Sequence, residues 1–71
     1  MAYVLTGSED GMIGLYGNKK RADAAAREYV AKGNEIREDE VVVVEPFKGY
    51  WTYSSPTSSW ATATVEKWEM Q

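Results

Sequence analysis

Cysteine and histidine are both missing from this sequence, and the two absences remove most familiar site chemistry. Without thiols there are no disulfides to staple a small fold, no thiolate zinc ligands and no redox pair, which fits a reducing compartment. Without imidazole there is no Ser-His or Cys-His pair, and the commonest general base and zinc ligand is gone. Long apolar runs are also lacking. The start, "MAYVLTGSEDG", has neither a basic leader region nor an extended hydrophobic stretch, so no signal peptide and no membrane span are expected, and the reading is cytoplasmic. Positive charge is in short supply too. Eight Lys and Arg stand against eleven Asp and Glu, a net charge of −3, which argues against a nucleic-acid binder that works by neutralising phosphates.

What is present describes a small folded domain. Hydrophobic residues make up 44% and charged residues 27%, a globular composition. A chain of 71 residues has room for one domain and one modest core. Its net stability is expected at only about 4 to 10 kcal/mol, so a partner or a second copy matters energetically.

Residues 2–6, "AYVLT", read as a strand, 7–11, "GSEDG", as a turn in which Gly11 takes a positive φ, and 12–17, "MIGLYG", as the returning strand. The period then changes. Asn18 is a good N-cap, and Ala22, Ala25, Ala26, Tyr29 and Val30 fall on one helical stripe. Gly33 and Asn34 are expected to close this helix, giving bounds of 19–32. "VVVV", 41–44, is the clearest strand, ended or made irregular by Glu45 and Pro46. "FKGYWTYSS" and "WATATVEKWEM", flanking "SPTSS", read as a final hairpin. The expected class is α+β: about four to five antiparallel strands, in the order β-β-α-β-β along the chain, with one helix packed on one face.

Alternation makes the valines informative. Val41 and Val43 point to one face and Val42 and Val44 to the other, and one helix cannot bury both. The second face calls for the C-terminal hairpin, another copy of the chain or a partner. In the strand after Trp60, Ala61, Ala63 and Val65 share a small-residue side, while Trp60, Thr62, Thr64, Glu66 and Trp68 share the other. By the same rule Phe47, Gly49, Trp51 and Tyr53 lie together, opposite Lys48, Tyr50 and Thr52.

The aromatic segment "GYWTYSSPTSSW" has two readings. Its rings supply core to a small protein, or Tyr50, Trp51, Tyr53 and Trp60 form a contact surface, since Trp and Tyr are enriched among binding hot spots. No catalytic residue is assigned. The serines sit in a turn without a base, and Glu9–Asp10 and residues 38–40 lack the spacing of a calcium loop, so neither metal nor cofactor is expected. Lys19, Lys20 and Arg21 at the helix start offer an anion or nucleotide site or, more blandly, a solvated basic edge near the acidic loop at 35–40. Glu9 and Asp10 at a hairpin tip, with residues 35–40, offer a phosphate-mimicking acidic surface.

The run "YVLTGSEDGMIGLYGNKKRADAAAREYVAKG" with "DEVVVVEPF" resembles small phage and bacterial accessory proteins with a strand, an acidic turn, an "IG-x-Y" strand, an Ala-rich helix and a Val-rich strand. Ile13, Gly14, Tyr16, Ala22 and Ala25 carry the likeness, over roughly residues 3–45. The resemblance implies a compact phage-encoded protein that modulates or inhibits one host protein, in defence or DNA processing. Some phage uracil-DNA glycosylase inhibitors look similar in the order of their elements. The expected function is therefore a non-enzymatic protein-binding module acting on a host protein. The alternatives are a self-associating homodimer, a small-anion binder at the helix N-terminus and a DNA-mimic inhibitor. Neither a nucleic-acid nor a membrane partner is expected.

Overall fold

The strand-forming runs on either side of the "GSEDG" turn pair with each other. In the computed structural model, which describes residues 1–69, β1 (Ala2–Gly7) and β2 (Gly11–Tyr16) make an antiparallel hairpin. Gly11 takes the expected left-handed value, φ 68°. A bulge interrupts the register opposite Leu5 and Thr6.

Asn18 caps the helix α1 (Lys19–Asn34), its side chain accepting a 2.8 Å hydrogen bond from the Arg21 N–H. The alanine-rich stripe goes inward: Ala22, Ala26 and Val30 are fully buried, with Ala25 and Tyr29 packed beside them. Small side chains let the helix lie close on the sheet. The helix runs past its expected stop. Glu35, at φ 56° and ψ 44°, is the left-handed cap, and its N–H donates to the carbonyls of Ala31 and Lys32. Gly33 serves space instead, because a Cβ there would collide with the Ala61 methyl. Asn34 is buried at the last helical position.

After a 3-10 turn at Glu38–Glu40, β3 (Val42–Phe47) and β4 (Tyr50–Ser54) form a second hairpin, and β5 (Ala63–Trp68) returns after residues 55–62. "FKGYWTYSS" is thus divided and not one strand. Gly49, at φ 84°, allows a tight turn that leaves Phe47 on β3. Trp60 precedes β5 and does not belong to it. Met70, within the expected last strand, lies outside the described residues. A second irregularity falls between Val44 and Phe47. Pro46 has no N–H to give a ladder, and an edge strand tolerates it.

The sheet order is β2-β1-β5-β4-β3, every pair antiparallel. This is the expected α+β class, with one α-helix, five strands and one open sheet among the described residues. The C-terminal hairpin stands within the sheet, with β5 as its central strand, so it covers neither face.

The core lies between α1 and one side of this sheet. Leu5, Tyr53, Ala63 and Val65 face Ala22, Ala26 and Val30, and Val41 joins them. Leu5, Val30 and Val65 each contribute roughly 1.5–3 kcal/mol by burial.

Candidate interaction surface

The register assigns every strand residue to a face. Tyr3, Leu5, Trp51, Tyr53, Ala63 and Val65 belong to the helix side, as does Val43. On the opposite side two rows of side chains cross all five strands. One runs Met12, Thr6, Thr64, Thr52, Val44; the other runs Leu15, Val4, Glu66, Tyr50, Phe47. Trp68 sits opposite Ala2 at one end, and Val42 opposite Ser54 at the other.

Among the described residues no helix or strand packs across this second side. Met12, Leu15, Phe47, Trp68 and Val44 are 51–66% exposed, and Val42 is 40% exposed. Among these outward-facing strand residues Glu66 is the only ionisable side chain apart from the Tyr50 phenol, and no Lys or Arg is present. The expected split of the valines holds: Val41 is 6% exposed and Val43 half-buried, while Val42 and Val44 face outward.

The four aromatic rings singled out in the sequence do not meet. Tyr53 is wholly buried in the core, which favours the core reading of this ring over its expected place in a contact surface. Its hydroxyl donates a 2.7 Å hydrogen bond to Asp23. Burial, and then this bond to a carboxylate, push the Tyr53 phenol well above its ordinary range. Burial also opposes ionisation of Asp23, but hydrogen bonds from Tyr53 and Arg27 and the charges of Arg27 and Lys19 outweigh it, holding the carboxyl below its ordinary value.

Trp51 is half-buried on the helix side, with its ring centroid 6.1 Å from that of Tyr3 and the Lys19 Nζ 4.5 Å above it. Tyr50 is on the open side, stacked on Phe47 at 4.8 Å with planes 8° apart. That pairing corrects strict alternation, which put Phe47 with Trp51: the chain reverses at Lys48 and Gly49, so Phe47 and Tyr50 are register partners and share a side. Trp60, 75% exposed, is displayed by the 55–62 loop.

That loop is organised by Asn34. The Asn34 side-chain amide donates to the carbonyls of Val30 and Ala61, both at 2.8 Å. Its oxygen accepts from the Ser58 hydroxyl at 2.7 Å and the Trp60 N–H at 3.0 Å. The result holds Trp60 beside Glu9, Lys32 and Glu35 in one hollow, with Asp10 in an adjoining one. Trp60, Glu9 and Asp10 therefore gather at the C-terminal end of α1, away from the open face. The sequence marks Asn34 only as part of a helix stop, since its role in the loop depends on a contact made 27 residues on.

The basic cluster is not a pocket. Lys19 is engaged by Asp23 at 3.5 Å and by Trp51, while Lys20 and Arg21 are exposed. The cluster and the acidic loop lie at opposite ends of a helix of 16 residues, about 24 Å long, so the expected nearness of basic edge and acidic loop is corrected. Within that loop Arg37 pairs with Asp39 at 3.1 Å and Glu40 at 3.6 Å.

Among the described residues no group of three or more His, Cys, Asp or Glu side chains could hold a metal ion, and no helix is long and apolar enough to cross a membrane. No family model matches the chain, and neither a curated protein nor a solved structure is similar to it.

Proposed function

We propose that the chain is a non-enzymatic protein-binding module that docks a partner on the open side of its sheet. The observation that carries this reading is the uncovered face itself, where six large apolar side chains, Met12, Leu15, Val42, Val44, Phe47 and Trp68, are exposed across the strands. Contiguous apolar surface rimmed by polar groups marks interaction sites in small soluble folds. Tyr50, stacked on Phe47 on the open side, supports this reading, whereas Trp51 and Tyr53 lie on the helix side. On this reading the target is a host protein and the outcome its modulation or inhibition, as the resemblance of residues 3–45 to phage accessory proteins implies.

The test is capture from a bacterial lysate by the natural chain, by the double variant Leu15→Lys, Val44→Lys and by Trp60→Ala. A specific protein held by the natural chain and by Trp60→Ala, but lost by the double variant, is the expected result. Equal capture by all three removes the open face from the reading.

A further inference from the structure

We propose that β2 pairs edge to edge with β2 of a second copy of this chain, joining two five-stranded sheets into one across a twofold axis. This contact is separate from the docking role proposed above, and it leaves the open side of both copies free.

An edge strand selects its own kind of occupant, because its outward row of N–H and C=O groups is matched by another strand or by water. Among the described residues no strand pairs with the outer side of β2 or of β3. The two edges differ. β3 carries Glu45 and Pro46, and a charge and a proline both discourage further pairing. β2, "GMIGLY", has neither, and Met12, Ile13 and Leu15 are 40–66% exposed along it.

The bulge makes β2 match itself. Thr6 lies opposite Met12 and Leu5 opposite Gly14, so Ile13 is the extra residue. Met12 and Leu15 consequently share the open side, while Gly11, Ile13, Gly14 and Tyr16 take the helix side. One antiparallel register pairs all six residues of the strand with all six of its copy. It sets Met12 against the partner's Leu15, Ile13 against the partner's Gly14 and Gly11 against the partner's Tyr16. In every pair both members belong to the same side, as facing residues of antiparallel strands do. A slip of one residue in either direction sets open-side residues against helix-side ones. Such self-matching is what a twofold contact requires.

Charge names the second copy as the occupant. β2 is preceded by Glu9 and Asp10 and followed, past Gly17 and Asn18, by Lys19, Lys20 and Arg21. The first turn of α1 holds no acidic residue, so three cations crowd the positive end of the helix without compensation in that turn. Glu9, Asp10, Lys20 and Arg21 are exposed, and none is in an ion pair among the described residues. In the antiparallel register the acidic turn of each copy comes beside the basic helix start of the other. The complement that each flank lacks within its own chain is supplied by the second copy, once at each end of the paired strands.

A contact of one short strand is smaller than the roughly 1,200 Å² at which stable complexes begin, so sedimentation of the natural chain is expected to show monomer and dimer exchanging with concentration. Two double variants test the charge argument. Glu9→Lys with Asp10→Lys makes both flanks of β2 basic, and Lys20→Glu with Arg21→Glu makes both acidic. Each alone is expected to dissociate about tenfold more readily than the natural chain, and an equal mixture of the two regains the natural dimer. Cysteine pairing reads the register, since the chain has no thiol of its own. Oxidation of Met12→Cys mixed with Leu15→Cys should cross-link the two at least about tenfold faster than either alone, because directly opposed residues suit a disulfide.

A natural chain that stays monomeric up to millimolar concentration overturns the proposal. A dimer indifferent to both charge reversals, or a mixture that regains nothing, does so as well. Cross-linking as fast within each cysteine variant as between them overturns this register. None of these outcomes touches the docking role of the open side, which capture from the lysate tests by itself.

Discussion

Leu5 and Leu15 lie on neighbouring strands of one hairpin, and one is 1% exposed and the other 61%. The same division runs through the valine strand, where Val41 and Val43 enter the core cluster and Val42 and Val44 do not. Both sides of the sheet are apolar, and only one has a helix against it. Stability therefore comes mainly from the helix side, and on the open side Val4 alone among the apolar strand residues is buried, at 6% exposure between its neighbours. An apolar side chain that is wet in both the folded and the unfolded chain contributes little to the difference between them. The open face carries hydrophobic residues that the fold does not need.

The sharpest way to break this contrast is a matched pair of substitutions. Leu5→Ala is expected to cost about 2–5 kcal/mol, a large part of the total of roughly 4–10 kcal/mol a chain of this size commands. Leu15→Ala is expected to stay within about 0.5 kcal/mol. Urea denaturation of the two variants measures both. Equal losses, with a midpoint that depends on protein concentration, would mean that the open face is covered in solution by another copy.

Asn34→Ala comes next. It removes two donors into buried carbonyls and the acceptor for Ser58 and Trp60. A loss of about 2–3 kcal/mol is expected, because buried polar groups are left without partners. Amide exchange at Trp60 and Ala61 should accelerate well beyond that of β1 and β5, localising the damage to the 55–62 loop and sparing the open face.

Much of this contrast could be read from residue order, and the exceptions have physical causes. Period-2 alternation separated Val41 and Val43 from Val42 and Val44, and placed Ala61, Ala63 and Val65 on one side; all three of the latter are buried. The helix stripe and the Asn18 cap follow from 3.6 periodicity and capping chemistry. Alternation failed at Phe47, because the chain turns back at Gly49 and makes Phe47 the register partner of Tyr50. It put Tyr53 on one side with Trp51, as observed, but left open whether that side was core or contact surface, because a tyrosine tolerates either and only the fold brings Asp23 to its hydroxyl. Gly33 looked like a helix stop, yet its lack of a side chain is used for contact with Ala61. The open face itself required knowing that the last hairpin joins the sheet edge to edge, which no local pattern encodes.

Tyr53→Phe sharpens the contrast from the covered side. The substitution keeps the ring and removes the hydrogen bond to Asp23, with an expected cost of about 1–2 kcal/mol. Its pH dependence is diagnostic. The folded chain holds Asp23 below its ordinary value of 3.8, so this contribution is present above that pH and is lost as pH falls through the folded value. The phenol of Tyr53 is raised above its ordinary 10.0, so the tyrosine contributes stability below that pH and loses it as pH climbs toward the folded value. Denaturation midpoints across the pH range should show the natural chain losing stability at both extremes. In Tyr53→Phe the alkaline component is absent and the acid loss begins at higher pH.

The smallest effect bears most directly on the open face. Val44→Lys puts a charge on an edge strand at a position 51% exposed, where a lysine stem lies along apolar neighbours and its ammonium stays in water. Edge strands of natural sheets often carry lysine, because the charge discourages pairing with other chains. The expected change in monomer stability is within about 0.5 kcal/mol, read by urea denaturation, together with lower binding of a hydrophobic dye. A loss of 2 kcal/mol or more would place Val44 in a buried environment and make the two sides of the sheet alike. A neutral result leaves a valine that can be exchanged for a charge without harm to the fold, which is the behaviour of a residue whose apolar surface is directed at something other than its own chain.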